Sequence, residues 1–364
     1  MRVTNGLLLK LAVVAAALVA VTLAVYCRGE KAPGNFVPGA PLVQGLDVSQ
    51  AAKIVVREKR ANAEGYEVAT LTAQADGAYA IAERHGYPAD NEEINVLLRA
   101  LLDIRTAVRL ADAPDANPDF GVVLGSPATG DVAFVDKSGK EILKITVGAP
   151  AGRGHNVTIG RAVYRSEAPV DFRGSPLSYI DQTVFKSDSK KVKSLAIERP
   201  DGAKYSFIAK DGALKLAGVP DGKVENDEAS WGVKEGFTGL MFDDVAPLEP
   251  EKAGTAALQK KTAAVVAMDD GAVYRLAIWQ DKDGAYFATA AADEPARERL
   301  TPEKLMVWEK AVKYNRAHKG WRFAISKWDG ERLDKPLSAL LKDAPKPEAK
   351  TAAGPGATPP GAAA

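Results

Sequence analysis

The chain has 364 residues, 26% of them charged and 46% hydrophobic, with a net charge of +1, the make-up of an ordinary globular protein. The near-neutral balance gives no basic field for drawing in nucleic acid, and the single cysteine, Cys27, excludes an intrachain disulfide. The length allows two or three compact units.

The first element in chain order is an apolar run that opens at Leu7 and closes at Tyr26. A helix of about 20 apolar residues matches the hydrocarbon thickness of a bilayer. The one charge inside the run, Lys10, is near enough to its start to snorkel to the interface. The residues favour an uncleaved anchor. A signal peptide has a shorter apolar core and small residues at its cleavage site, whereas Ala24-Val25-Tyr26-Cys27 puts a bulky Tyr there. Cleavage at Thr22-Leu23-Ala24 and lipidation of Cys27 stay open as alternatives. Arg2, Lys10 and the amino terminus favour an inside N-terminus, partly offset by Arg28 and Lys31. The expectation is a single-pass protein of the bacterial inner membrane with the bulk of the chain in the periplasm: 1–28 the anchor and 29–46 a Pro/Gly-rich tether.

From Val48 a pattern begins that returns twice. In 47–125, Ile54-Val55-Val56 and the alternating run from Tyr66 to Leu71 read as strands, and Asp76-Gly77 turns the chain into Ala78-Tyr79-Ala80-Ile81. Asp-Gly between alternating runs is a hairpin signal because Gly accepts positive φ without steric cost. A helix follows, with Asp90 or Asn91 as cap, Glu92 and Glu93 at its positive end, and Ile94, Leu97, Leu98, Leu101, Leu102 and Val108 as its apolar stripe. In 126–188 a β-rich insert pairs the runs from Asp131 to Val135 and from Ile142 to Val147, then those from Asn156 to Ile159 and from Ala162 to Arg165, the latter across Gly160-Arg161.

The second copy, 189–250, has strands at Val192 to Ile197, Tyr205 to Ile208 and Ala213 to Leu216, then a helix opened by Asn226 or Asp227 and running through Trp231, Phe237, Leu240 and Met241. Its interior glycines, Gly232, Gly236 and Gly239, each weaken a helix by up to about 1 kcal/mol relative to Ala. The third copy, 251–343, has strands at Ala264 to Ala267, Val273 to Trp279 and Ala285 to Thr289. Thr301-Pro302-Glu303 starts a helix with Leu305, Trp308, Ala311 and Val312 buried; a strand at Gly320 to Ile325 and a helical turn from Pro336 close it. The tail, 344–364, is rich in Pro, Ala and Gly and expected to be disordered. The fold class is therefore α+β: an N-terminal transmembrane helix followed by two or three repeated β-hairpin or meander-plus-helix modules with a β-rich insert.

These elements, with Asp119-Phe120-Gly121-Val122, Val132-Ala133-Phe134-Val135-Asp136, Ile145-Thr146-Val147-Gly148 and Ala162-Val163-Tyr164-Arg165 in that order, resemble the domain of unknown function 4340 family. The resemblance runs from about Val48 to Glu249, with the Trp321 region as a further copy. It implies a non-enzymatic role beside ABC-type transporter components, including those linked to gliding motility, and hence a permease or nucleotide-binding subunit as partner. The family has no agreed catalytic residues to carry over.

Residue chemistry points the same way. His85, His155 and His318 are far apart, with no His or carboxylate partner at zinc-ligand spacing. Asp281-Lys282-Asp283-Gly284 resembles the start of a calcium loop, but Ala292 stands where the bidentate Glu belongs, and a hairpin turn explains it. Ser126, Ser175 and Ser178 lack a nucleophile elbow. Asp243-Asp244 and Asp269-Asp270 read as turns, and Lys186, Lys190, Lys191 and Lys193 as a solvated strand edge. The tryptophans read as core, except Trp328. The one candidate for binding is the glycine-rich loop from Gly148, where Arg153, Gly154 and His155, with Arg161 close in sequence, could hold an anion. It lacks the Lys-Ser/Thr ending of a P-loop. No catalytic residues, cofactor or metal are expected. The function expected is a membrane-anchored, periplasm-facing accessory or scaffold of an ABC-type transport or envelope complex; the alternative is a periplasmic binding module for a glycan or anionic metabolite.

Overall fold

The computed structural model describes residues 37–59, 64–123, 125–126, 129–248, 260–296 and 301–345. The expected membrane helix and nearly all of the expected tail lie outside them. Among the described residues no helix is long and apolar enough to cross a membrane. The chain divides into two compact units between Ile180 and Asp181.

The first unit is built on strands β1 (Lys53–Glu58), β2 (Glu67–Ala73), β3 (Tyr79–Ile81), β4 (Tyr87–Pro88), β5 (Thr106–Ala111), β6 (Gly130–Val135), β7 (Glu141–Ala151), β8 (Gly154–Ile159) and β9 (Ala162–Ser166), with helix α1 (Asn91–Leu102) between β4 and β5. They form one antiparallel sheet in the order β4-β3-β2-β1-β6-β7-β8-β9-β5. Alternation decides which face is core: Ile54, Val56, Leu71, Val132, Phe134 and Ile145 are fully buried. In α1 the Asp90 carboxylate accepts the Glu92 N–H at 2.8 Å, and Ile94, Leu97 and Leu101 are buried. The helix stops at Leu102, so Val108, expected on its stripe, lies on β5 and is exposed.

The second unit contains β10 (Thr183–Lys186), β11 (Val192–Glu198), β12 (Lys204–Lys210), β13 (Ala213–Leu216), β14 (Lys223–Glu225), α2 (Asp227–Thr238), β15 (Gly239–Met241), β16 (Asp244–Pro247), β17 (Thr262–Met268), β18 (Val273–Gln280), β19 (Tyr286–Ala292), α3 (Pro302–His318), β20 (Trp321–Ile325), α4 (Lys327–Leu333) and β21 (Leu341–Asp343). Its main sheet is antiparallel in the order β13-β12-β11-β17-β18-β19-β20-β16, beside the small pairs β10-β15 and β14-β21.

Apart from β4, the two main sheets have the same strand order, followed by the chain in the same sequence. Smaller features recur with it. The cap residue of the helix donates its backbone N–H to the last residue of the unit's closing 3-10 turn: Asp90 to the Tyr179 carbonyl, Asn226 to that of Leu340, both at 2.8 Å. The segment before the first strand pairs with the segment after the helix: Leu42 N–H to the Ile104 carbonyl, and β10 with β15. The units differ where β8 turns into β9 through Gly160-Arg161, whereas β19 reaches β20 through α3.

Mixed α+β architecture is thus what the chain has, but the expected partition falls differently on it. Of the strands of 126–188, read as an insert, β6 pairs with β1 and β7, β8 and β9 continue the same sheet, whereas β10 pairs with β15 in the second unit. The strands of 189–250 and 251–343 share another sheet, through β11 and β17. Turn and strand patterns are local signals, whereas sheet membership is set by pairing across long stretches of chain. Residues 39–43, read as tether, are packed, with Leu42 and Val43 buried. Gly236, read as a helix weakener, faces α4, where a Cβ would come within 2.4 Å of Leu333 Cδ2. Trp231 is 58% exposed rather than core, and Leu305 is also exposed.

Candidate functional site

The candidate anion residues do not converge. Gly152 and Arg153 form the two-residue turn between β7 and β8, whereas Arg161 lies in the turn at the other end of β8. At about 3.3 Å per residue, a full strand separates the two cations. His155 is half-buried, and its Nδ1 accepts the Val170 N–H at 3.1 Å. Gly154 is buried where an added Cβ would stand 2.1 Å from the Ser166 carbonyl oxygen. Two of the four residues therefore have packing roles, and Arg153 and Arg161 remain as separate exposed cations.

The other sequence candidates also have local duties. The Asp281 carboxylate accepts the N–H groups of Asp283 and Ala285, both at 2.9 Å, holding the β18–β19 turn. Both ring nitrogens of His318 face carbonyl oxygens, of Tyr314 and Thr183, at 2.9 Å. The lysines from Lys186 to Lys193 are exposed along a 3-10 turn and its flanking strands. Among the described residues no group of three His, Cys, Asp or Glu side chains could hold a metal ion.

Single polar residues with no motif around them do the less expected work. Four of them, two acting as a pair, close strand edges, which would otherwise present open backbone groups. Glu83 accepts the Thr70 N–H of β2 at 2.9 Å. Glu225 accepts the Leu216 N–H of β13 at 2.9 Å while Lys234 donates to the Leu214 carbonyl and to Glu225, each at 3.0 Å. Burial raises the Glu225 carboxyl, but the Leu216 N–H and the Lys234 ammonium outweigh it and hold the group below its ordinary value. Asn315 of α3 both donates to and accepts from the backbone of Ala292 in β19, at 2.9 and 2.7 Å.

Asp131 is the other. It is fully buried on the face of the first sheet opposite the core, 3.4 Å from Arg57 and 4.0 Å from Lys144, and its Oδ1 has no hydrogen-bond partner. Burial pushes its pKa up, and Lys144 and Arg57 offset that only in part. A carboxylate inside an alternating strand is an ordinary outward position by pattern, so nothing in the sequence flags it.

Two surface features have the shape of binding sites. In the first unit a cleft of about 150 Å³ lies between α1 and residues 171–179, with Val96, Leu97, Phe172 and Tyr179 as its apolar wall and Arg173 at its rim. In the second, two adjoining hollows of about 410 and 470 Å³ lie on the main sheet, sharing Ala263, Val265 and Arg275.

The whole is a two-unit, strand-rich α+β protein whose charged groups serve turns, caps and strand edges. The family model for the domain of unknown function 4340 matches residues 80–261, half of the chain, and the chain belongs to that family. The match begins at β3 in the first unit and ends just before β17 in the second. No curated protein matches it.

Proposed function

We propose that this protein is a membrane-anchored, periplasm-facing accessory or scaffold subunit of an ABC-type transport or envelope complex, acting without catalysis, and that its body is one module used twice. What carries the reading is the apolar run from Leu7 to Tyr26, long enough to span a bilayer, leading into two β-rich units of like strand order. The shared strand order and helix-cap bond support duplication. Recovery of the tagged full-length protein from membranes tests the role: a permease or nucleotide-binding subunit is expected with it, and repeated recovery of the protein alone overturns the proposal. A chain beginning near Ala32 keeps the packed residues 39–43 and is expected to fold but fail in the cell.

The ligand-binding alternative at the Arg153 turn rests on one exposed cation. A stabiliser found by thermal shift and abolished by Arg153→Ala would favour it.

A further inference from the structure

The two sheets can be compared row by row, because their core registers coincide: Ile54 faces Phe134 and Val56 faces Val132 in the first, Leu195 faces Val266 and Ile197 faces Ala264 in the second. One residue along, on the face opposite the core, the first sheet has the cross-strand row Arg57, Asp131, Thr146, Thr158. The matching row of the second is Glu198, Ala263, Ala277, Thr289. In the next row Lys144 corresponds to Arg275, each opposite a small apolar residue, Ala133 or Val265. The second sheet keeps the cation and has alanine in place of the buried carboxylate.

The two faces also differ in exposure, because residues 120–121 and Phe172 lie against the first sheet beside Gly148 and Gly130. Asp131 is fully buried where it stands, whereas Ala263 lines both hollows of the second sheet. Together they cross β12, β11, β17, β18 and β19, five strands at about 4.8 Å spacing, so about 19 Å of groove, the reach of about six extended residues. The floor is Ala196, Ala263, Val265, Ala277, Thr289 and Ala291, side chains too short to block an incoming chain. Cations stand along it: Lys204 on β12 at one end, Lys261 just before the middle strand β17, Arg275 on β18, and Lys319 just before β20 at the other end. Lys204 is paired with Glu198 as an exposed surface pair of the kind that costs little to exchange, and Arg275 is held by Asp293 through two bonds of 2.7 Å on the exposed surface, a partner that an incoming carboxylate joins or replaces. Among the described residues Lys261 and Lys319 have no carboxylate partner. The sheet's backbone is already paired along these strands, so an occupant is held by side-chain charge and by fit to the floor, and that charge is negative.

We propose that this open face of the second sheet is a docking groove for an extended acidic peptide segment of a partner protein, one of whose carboxylates meets Arg275 where Asp131 meets Lys144 in the first unit. The proposal adds a partner chemistry to the scaffold reading and rests on that reading only in taking the occupant to be a protein.

The test is a titration of the full-length protein, labelled at alanine and valine methyls, with an end-blocked octapeptide of alternating Glu and Ala. Shifts confined to Ala196, Ala263, Val265, Ala277 and Ala291 are expected. Affinity should fall about tenfold in Arg275→Gln and again in the double variant Lys261→Gln, Lys319→Gln, and with added salt. Ala263→Asp, which restores the first unit's acid beside Arg275, should abolish binding with the circular dichroism unchanged. Equal binding of the Gln-for-Glu peptide, shifts elsewhere, or affinities indifferent to the exposed Lys and Arg substitutions would overturn the proposal. So would tighter binding of an oligogalacturonate at the same methyls, or shifts that follow protein concentration alone. None of these outcomes depends on recovery of a transporter subunit.

Discussion

The two units share a strand order and differ in what fills the face and the gaps around it. The first makes its β8–β9 connection in two residues and seats a buried acid, Asp131, on the face opposite the core. The second lengthens the matching connection into α3 and leaves small residues at the matching positions. A common sheet thus tolerates change at connections and on its outer face, because neither alters the cross-strand pairs of apolar residues on its core face. The edges show the same principle from the other side: different residues, Glu83 in one unit, Glu225 with Lys234 and Asn315 in the other, do the one job of occupying open backbone groups.

All five tryptophans lie in the second unit, so indole fluorescence reports on that unit while far-ultraviolet dichroism reports on both. The sharpest way to break the comparison uses two glycines held by close packing. At Gly330 in α4 a Cβ would lie 2.1 Å from the Tyr286 ring, and at Gly154 it would lie 2.1 Å from the Ser166 carbonyl. Each change to Ala overpacks one unit, by about 3 kcal/mol. Gly330→Ala should move the fluorescence-detected urea midpoint; Gly154→Ala should move the dichroism midpoint and leave the fluorescence transition in place. Movement of fluorescence by both would mean that the units unfold as one.

Next in size is the seal supplied by α3. Asn315→Ala leaves the N–H and C=O of Ala292 without partners in a buried setting, a loss of about 2 kcal/mol in the second unit, read by the same fluorescence midpoint. Below it comes the Glu225–Lys234 pair, whose side chains are 11% and 15% exposed. Glu225→Gln keeps an acceptor for the Leu216 N–H and leaves Lys234, still bonded to the Leu214 carbonyl and in contact with solvent, without a charge partner, and should cost about 1 kcal/mol. The sign follows from the lowered Glu225 pKa: its contribution is present above the unfolded carboxylate value and is lost as pH falls through the folded one. The glutamine variant should therefore show a flatter acid limb. In the first unit, Glu83→Gln also keeps its acceptor, and there no comparable loss is expected.

Legibility in the sequence follows the range of the interaction. The hairpin at Asp76-Gly77, the α1 stripe from Ile94 to Leu101, the Thr301 cap and the turn at Asp281 are set by residues within a few positions of one another, and the structure has them there. The pairing of β1 with β6, or of β11 with β17, brings together strands separated by more than 70 residues in the first case, and no local period encodes it. The site residues divide in the same way. Arg153 and Arg161 look adjacent in sequence, yet a strand of alternating geometry sets them apart. Asp131, Ala263 and Arg275 acquire meaning only once the two sheets are laid against each other. Trp231 illustrates a further limit: position on a helix gives a face, but which face is covered depends on α4, which packs on the glycine side of α2.

The smallest expected effect has the opposite sign to the others. Asp131 stands beside two cations, and a count of ion pairs would make it stabilising. Its burial dominates instead: the pKa is raised, so the folded first unit holds the proton more tightly than the unfolded chain does. Stability from this group is then greatest below the unfolded carboxylate value and declines as pH rises through the folded one. The ionised form of the side chain carries a desolvation cost that Arg57 and Lys144, themselves 35% and 27% exposed, do not fully return. Asp131→Asn keeps the shape and removes the charge, leaving two cations that can turn to water. It should leave the first unit unchanged or raise its stability by less than about 1 kcal/mol at neutral pH, and flatten the dependence of the dichroism midpoint on pH. A clear destabilisation at neutral pH would show that the Arg57–Asp131–Lys144 row holds the strands together, and that the second sheet lost an attractive contact when alanine took the acid's place.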